Sequence, residues 1–257
     1  MRIFNFLAEK TNANIDNPQV TLERRKIIKQ KYFLKRIYTG FYTRLKSSLT
    51  TFNRKGVIVE LGSGGGFIKE IIPNVITSDI LKLPYIDRQF SALKIPFKDK
   101  SVNAFLMIDV LHHIPDIEKF LVEANRCLKK GGQIIMIEPS NTLFGKIVYK
   151  YFHNEPYNPK GGWSFESSGP LSGANSALPW IIFFRDKKIF KKKYTDLKIV
   201  KIEAHTPFKY ILSGGFSYNQ LLPNFCYRFV NLFELIIKPL NNYIGLFYSI
   251  NITKIKL

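Results

Sequence analysis

Acidic residues are scarce in this chain of 257: 19 Asp and Glu stand against 39 Lys and Arg, a formal charge of +20. Cysteine is scarcer, with only Cys127 and Cys226, far apart and in no CxxC spacing. That excludes a disulfide framework and a structural zinc site, and suits a reducing compartment. No apolar stretch reaches the roughly 18 uninterrupted residues of a membrane-spanning helix, and the run at Met1–Lys10 is too short for a signal peptide. The expected location is therefore cytoplasmic, with peripheral contact at the inner membrane face left open. Internal repeats and low-complexity linkers are also missing. The 46% of apolar residues are then expected to build one elaborated domain rather than several.

What the chain does have is glycine in one place. The apolar run Val57-Ile58-Val59 leads into Glu60-Leu61-Gly62-Ser63-Gly64-Gly65-Gly66-Phe67. Residues without side chains let a backbone turn sharply and lie against a ligand, and a helix opening near Gly66 would aim unpaired N–H groups at it. A second acid, Asp79, closes the next apolar run, nineteen residues beyond Glu60. A βα unit returns to the same edge of a parallel sheet at about that distance. In the dinucleotide pattern GxGxxG the third glycine would fall on Phe67, too bulky for close helix–strand packing, so NAD fits poorly.

The pattern Glu60-x-Gly62-x-Gly64-x-Gly66 resembles the first motif of class I S-adenosylmethionine-dependent methyltransferases. Three more blocks follow in order: Ile95-Pro96-Phe97-Lys98-Asp99-Lys100-Ser101-Val102-Asn103, Leu111-His112-His113-Ile114, and Glu123 to Pro139. These are similar to the type 11-like subgroup that includes quinone and small-molecule enzymes. The opening Asp16 to Tyr42, with the HNEP, GPLSGAN and ALPWIIFFRD blocks, also resembles an uncharacterised bacterial subgroup.

The resemblance implies an α/β, Rossmann-like fold with a mostly parallel seven-stranded sheet and helices on both faces. It also implies an N-terminal helical cap over residues 1–50 and a methyltransferase domain over 51–257, with a specificity insertion after the fifth strand at about 140–196. Strands six and seven are expected at Leu197–Ile202 and Phe247–Ile252, the last antiparallel. The implied cofactor is S-adenosyl-L-methionine. Gly62, Ser63, Gly64 and Gly66 would give it close backbone approach, with Glu60 and Asp109 at its methionine end and Asp79 on its ribose. Ser91 and Ala92 would lie near adenine, at a position where many members carry Asp.

Between Thr21 and about Leu49, Ile27, Leu34, Ile37, Tyr38, Phe41 and Leu45 recur at helical spacing, with basic residues between them. They predict one or two amphipathic helices capping the pocket or covering the sheet. Basic residues concentrate at Arg24–Arg36 and Lys187–Lys193. Two accounts stay open, an anionic partner or the compositional drift that makes 29 of the 39 basic residues Lys.

If the acceptor is a hydroxyl it needs a base, and the candidates are His112, His113, His153 and Glu155. His153 and Glu155, two apart and without a third ligand, do not indicate a metal. Trp163, Trp180, Phe183 and Phe184 are either a stacking surface for the acceptor or core. The reading is methyl transfer to a hydroxyl, carboxyl or amine of a small-molecule, glycan or lipid-linked acceptor. An RNA methyltransferase and a non-catalytic binding protein of the same fold are the alternatives, with nucleic acid the less favoured partner. Oligomeric state is not legible.

Overall fold

The computed structural model describes residues 15–256. The Met1–Lys10 run and the first part of the expected cap lie outside them. Among the described residues no helix is long and apolar enough to cross a membrane.

Seven strands form one sheet: β1 (Ile58–Glu60), β2 (Ile76–Asp79), β3 (Arg88–Gln89), β4 (Val102–Ile108), β5 (Leu128–Pro139), β6 (Leu197–His205) and β7 (Phe247–Lys254). Their spatial order is β3-β2-β1-β4-β5-β7-β6. The first five pair in parallel, and β7 runs antiparallel between β5 and β6. This is the mostly parallel α/β sheet expected from the sequence. Every residue of β4, Val-Asn-Ala-Phe-Leu-Met-Ile, is buried, because a central parallel strand is covered on both faces. Strand order reverses between β1 and β4, and a crevice opens there beyond the strand ends, where such sheets bind ligands.

Each face of the sheet carries its own core. On one side α1 (Pro18–Gln30) and α2 (Tyr32–Ser48) lie over the sheet. Asn17 caps α1 by accepting the Gln19 N–H, and Pro18 opens the helix where no N–H partner is needed. Leu34, Ile37, Phe41 and Leu45 of α2 pack in one cluster with Ile58, Leu106 and Ile135 of the sheet. On the other side the helix Ile117–Cys127, capped by Asp116, buries Phe120, Leu121 and Ala124.

The insertion supplies the rest of that second core. It holds the helix Leu143–Tyr151, a long irregular stretch, a π turn at Ile181–Arg185 and the helix Lys187–Lys193. Phe183 is fully buried in the core, Trp163 and Trp180 pack against it, and Phe184 stacks on Tyr248. None of the four lines the main cavity, so the stacking-surface alternative is set aside.

The helix expected at Gly66 does not form. Only a single 3₁₀ turn, Ile68–Glu70, separates the glycine loop from β2. Pro73 lies seven residues after Gly66, and its missing N–H and its restriction of the preceding residue disfavour a longer helix there.

Because α2 shares its cluster with the central strands, removing its buried side chains should unfold the domain rather than detach a cap. Leu45→Ala is expected to lower stability by about 2–5 kcal/mol, read as one cooperative urea transition shifted to lower denaturant, with no separate early phase.

Candidate active site

The glycine loop is held by contacts from distant parts of the chain. Gly62 (φ +63°) and Gly64 (φ +45°) adopt the left-handed region that favours glycine. A Cβ on Gly62 would strike Val110, and one on Gly66 would strike the Tyr42 hydroxyl. At Gly64 the nearest atom to an added Cβ is the Gly62 carbonyl oxygen at 3.8 Å. No protein atom needs that space, and the residue borders the main cavity. The Gly64 N–H donates to Asp79 Oδ2 at 2.8 Å, and the Tyr85 hydroxyl donates to the Gly64 carbonyl at 2.7 Å. The Arg25 guanidinium donates to the Gly66 carbonyl and lies 3.9 Å from the centre of the Tyr85 ring. Tyr42 accepts the Phe67 N–H at 3.2 Å.

Much of the first basic cluster is occupied in the same way. Lys29 pairs with Glu70, Lys31 donates to the carbonyls of Gly215 and Tyr218, and Arg24 sits over Phe216. These cations tie α1 to the loop and to the segment before β7.

The cavity measures about 1070 Å³, at the top of the range for a single ligand. Glu60, Gly62, Ser63, Gly64, Gly66, Asp79, Ser91, Ala92 and Asp109 all line it, as do His112, His113, His153 and Glu155. The structure thus brings every sequence-selected site residue to one space. Five carboxylates line it, from Glu23, Glu60, Asp79, Asp109 and Glu155, against one arginine and no lysine. In a chain of charge +20 the cavity is lined mainly by acids instead of bases.

Two of those carboxyls are costly to ionise. Burial pushes Glu60 up to about 8, a rise that the neighbouring Ser63 hydroxyl partly offsets, and Glu60 Oε2 has no hydrogen-bond partner. Burial also pushes Asp109 up to about 8, against the attraction of His112. Asp109 is held at φ +54°, a strained setting for a residue with a side chain, at the turn just after β4. Asp79 is engaged differently, its Oδ1 accepting the Leu81 N–H at 2.9 Å.

The four candidate bases meet at Glu155. His112 Nε2 lies 3.1 Å from Glu155 Oε2, His113 Nε2 lies 3.4 Å from Oε1, and His153 Nδ1 lies 3.8 Å from Oε2. Burial raises the Glu155 carboxyl, but hydrogen bonds from His112 and His113 outweigh it and hold the group well below the usual range. Burial lowers His153, keeping its ring neutral. Its Nδ1 accepts the Glu155 N–H at 3.3 Å, so the neutral ring carries its proton on Nε2 and offers the cavity a donor.

Two contributors were missed from the sequence. Glu138, fully buried, accepts the Val110 and Leu111 N–H groups on Oε1 and holds His112 Nδ1 with Oε2 at 2.7 Å. It sits inside the quoted block Glu123–Pro139, and a charged residue ending an apolar strand was the available signal. The second is the segment between β6 and β7, where Tyr210, Ile211, Phe216 and Leu221 wall the cavity. No motif marks it.

With this geometry in hand, residues 59–136 match the family described as the methyltransferase domain. Those residues, less than a third of the chain, carry the resemblance on β1 to β5 of the sheet. Over 47 residues, 18% of the chain, the protein is 43% identical to a demethylmenaquinone methyltransferase of Tropheryma whipplei. Over 59 residues, 23% of the chain, it is 39% identical to a ubiquinone/menaquinone biosynthesis C-methyltransferase of Bartonella bacilliformis. The chain spans only 20% and 23% of the lengths of these curated relatives. Across 93% of the chain, the fold matches all of an S-adenosylmethionine-dependent methyltransferase of Thermotoga maritima, with 17% identity and a TM-score of 0.55.

The residues around the cavity fit S-adenosylmethionine on their own geometry. The open space at Gly64 admits close approach, the unpartnered Glu60 Oε2 can accept from an amino group, and Asp79 stands at the end of the adjacent strand for vicinal hydroxyls.

Because the folded protein raises the Glu60 carboxyl, its stabilising protonated form is lost as pH climbs from the ordinary 4.5 through about 8. Glu60→Gln should therefore match wild type near pH 4 and exceed it by on the order of 2–4 kcal/mol at pH 8.5. Urea titrations across that range, without ligand, measure the difference.

Proposed function

We propose that the protein is an S-adenosylmethionine-dependent methyltransferase that acts on a largely apolar acceptor. The observation that carries the reading is the convergence of the open Gly64 position, the unpartnered Glu60 oxygen and Asp79 on one cavity. When bound, the cofactor supplies a methyl group on a sulfonium, ready for in-line attack by an acceptor atom. The chain's own task is alignment in a water-poor space, which contributes on the order of 7–11 kcal/mol. Glu60 and Asp109 stand at that end of the cavity as carboxyls whose ionisation a sulfonium and an ammonium would favour. An attacking hydroxyl gives up its proton as the new bond forms, and Glu155, at the centre of the histidine cluster, is the group placed to direct it. His153 hydrogen-bonds the acceptor through Nε2–H.

The nature of the cavity's mouth supports an apolar acceptor. Ile147, Tyr151, Phe152 and Leu221 line the cavity yet remain exposed. Phe144, also in the wall, contacts Phe208, which contacts Phe233 on the helix Cys226–Ile236. That helix leaves Phe229, Phe233 and Ile236 exposed beside the mouth. Contiguous exposed apolar surface of this kind marks binding sites for apolar partners. Two of the similar proteins are named for methylation of quinones, which agrees with that character.

Calorimetric titration tests the cofactor. S-adenosylmethionine and S-adenosylhomocysteine should bind and NAD should not. Gly64→Arg should abolish binding by filling the open space, and Asp79→Ala should weaken it by about tenfold or more, the loss of charge-assisted hydrogen bonds. Equal affinity in wild type and Asp79→Ala would remove the ribose assignment.

Turnover separates the cluster's members. Glu155→Gln should lower kcat by about 10²-fold or more while S-adenosylhomocysteine affinity stays within twofold, and His153→Ala should cost less. A large loss of cofactor affinity in Glu155→Gln would place that residue in the cofactor site instead.

A further inference from the structure

We infer that His112, His113 and Glu155 form a site for one first-row divalent transition metal ion, at the acceptor end of the cavity. Hydrogen-bond accounting points there first. His113 Nδ1 faces the Gly173 carbonyl at 3.3 Å, an oxygen that can only accept, so Nδ1 carries the proton. His112 Nδ1 faces Glu138 Oε2 at 2.7 Å, whose other oxygen already takes two backbone N–H groups. In the neutral rings both Nε2 atoms then present lone pairs, and both are aimed at the Glu155 carboxylate, itself only an acceptor. Three lone-pair donors turned on one point suit a metal ion there, which would take the place of the proton otherwise shared between His112 and Glu155.

Distances agree with an ion in that role. Ligand atoms bound at 2.0–2.2 Å with tetrahedral or octahedral angles stand ~3.0–3.5 Å apart. Glu155 Oε2 lies 3.1 Å from His112 Nε2 and Oε1 lies 3.4 Å from His113 Nε2, and one ligand atom from each of the three residues lies within 4.8 Å of the others, a spread that a small side-chain movement closes onto one ion. Each ligating imidazole also has the outer partner that fixes its tautomer, a carboxylate for His112 and a backbone carbonyl for His113, as bound histidines almost always do. Imidazole with carboxylate suits zinc, cobalt, manganese or iron rather than calcium or magnesium. The cavity's excess of carboxylates favours a cation there.

Three protein ligands leave coordination positions open toward the cavity. With an ion bound, Glu155 would hold it instead of directing the proton, an acceptor oxygen there would lose its proton to solvent more readily, and the ion would fix the oxygen's place without any change of oxidation state. The acceptor class this selects carries an ionisable oxygen, a phenol, enol or hydroxyl, on an apolar body.

Metal binding is read without cofactor or turnover, so its failure and that of the methyltransferase reading are distinct. Protein stripped with chelator and titrated with Co²⁺ should develop visible d–d absorption that saturates at one ion per chain and bleaches on adding Zn²⁺. His113→Ala and Glu155→Ala should abolish the band, His153→Ala should retain it, and Glu138→Gln should weaken Co²⁺ affinity about 10–100-fold. Thermal melts identify any variant that fails to fold, and Glu155→Gln, which preserves shape, then stands in with at least a tenfold loss. Absence of the band in wild type, or a band indifferent to His113 and Glu155, would overturn the assignment.

Discussion

The floor of the cavity depends on one buried carboxylate. Glu138, at the end of β5, fastens the turn after β4 by taking the N–H groups of Val110 and Leu111 on one oxygen and His112 on the other. Backbone amides at a strand end have no ladder partner, and burying them unpaired is costly. Glu138 satisfies both, which sets the path of the chain where Asp109 takes its left-handed conformation and where His112 and His113 project. The same group orients His112, and His112 in turn lowers Glu155 against the pull of burial. One side chain therefore joins the sheet to the chemistry, and the histidines' geometry is only as firm as that anchor.

Charge is distributed with the same economy. A chain short of acids places five of them around one cavity and keeps lysine out of it. Burial opposes ionisation of Glu60 and Asp109, each pushed up to about 8, so an incoming cation is what makes their charged forms favourable. The chain as a whole is thus mainly basic and the site mainly lined by acids. Exposed cations act only within about 8 Å at physiological salt, whereas the enclosed carboxylates are screened far less. The basic character of the whole therefore says little about what binds inside.

How much of this could be read from residues alone depended on whether a feature was local. The glycine loop, Glu60 and Asp79 were legible because a tight turn and two strand ends leave their mark in consecutive residues, and the sheet was implied by the resemblance those motifs carry. The helix after Gly66 was misjudged because Pro73, seven residues on, disfavours helix in the residue before it, and the segment keeps only a 3₁₀ turn. His153 and Glu155 looked like a pair without a third ligand, since nothing in the sequence says that residues forty positions earlier will stand 3.1 and 3.4 Å away. Glu138 was hidden by its surroundings, an acid at the close of an apolar strand inside a motif. The wall between β6 and β7 has no local signature, because its residues act by where the antiparallel β7 returns them.

The absent helix changes how the cradle is built. In a strand–turn–helix loop, rigidity comes from the helix's own hydrogen bonds and its N-terminal N–H groups. Here three residues of 3₁₀ turn cannot supply that, and the loop takes its shape from Arg25 on α1, Tyr42 on α2, and Tyr85 and Asp79 beyond β1. Arg25 and Tyr85 also stack on each other, so the helix and the loop are held as one unit. It follows that the geometry presented to a cofactor is coupled to the position of α1. The same α1 is tied by Arg24 and by the adjoining Lys31 to the segment at Gly215–Tyr218 that walls the acceptor side. A single N-terminal helix thus touches both the glycine loop and the Gly215–Tyr218 wall of the cavity, and anything that displaces it loosens the two together.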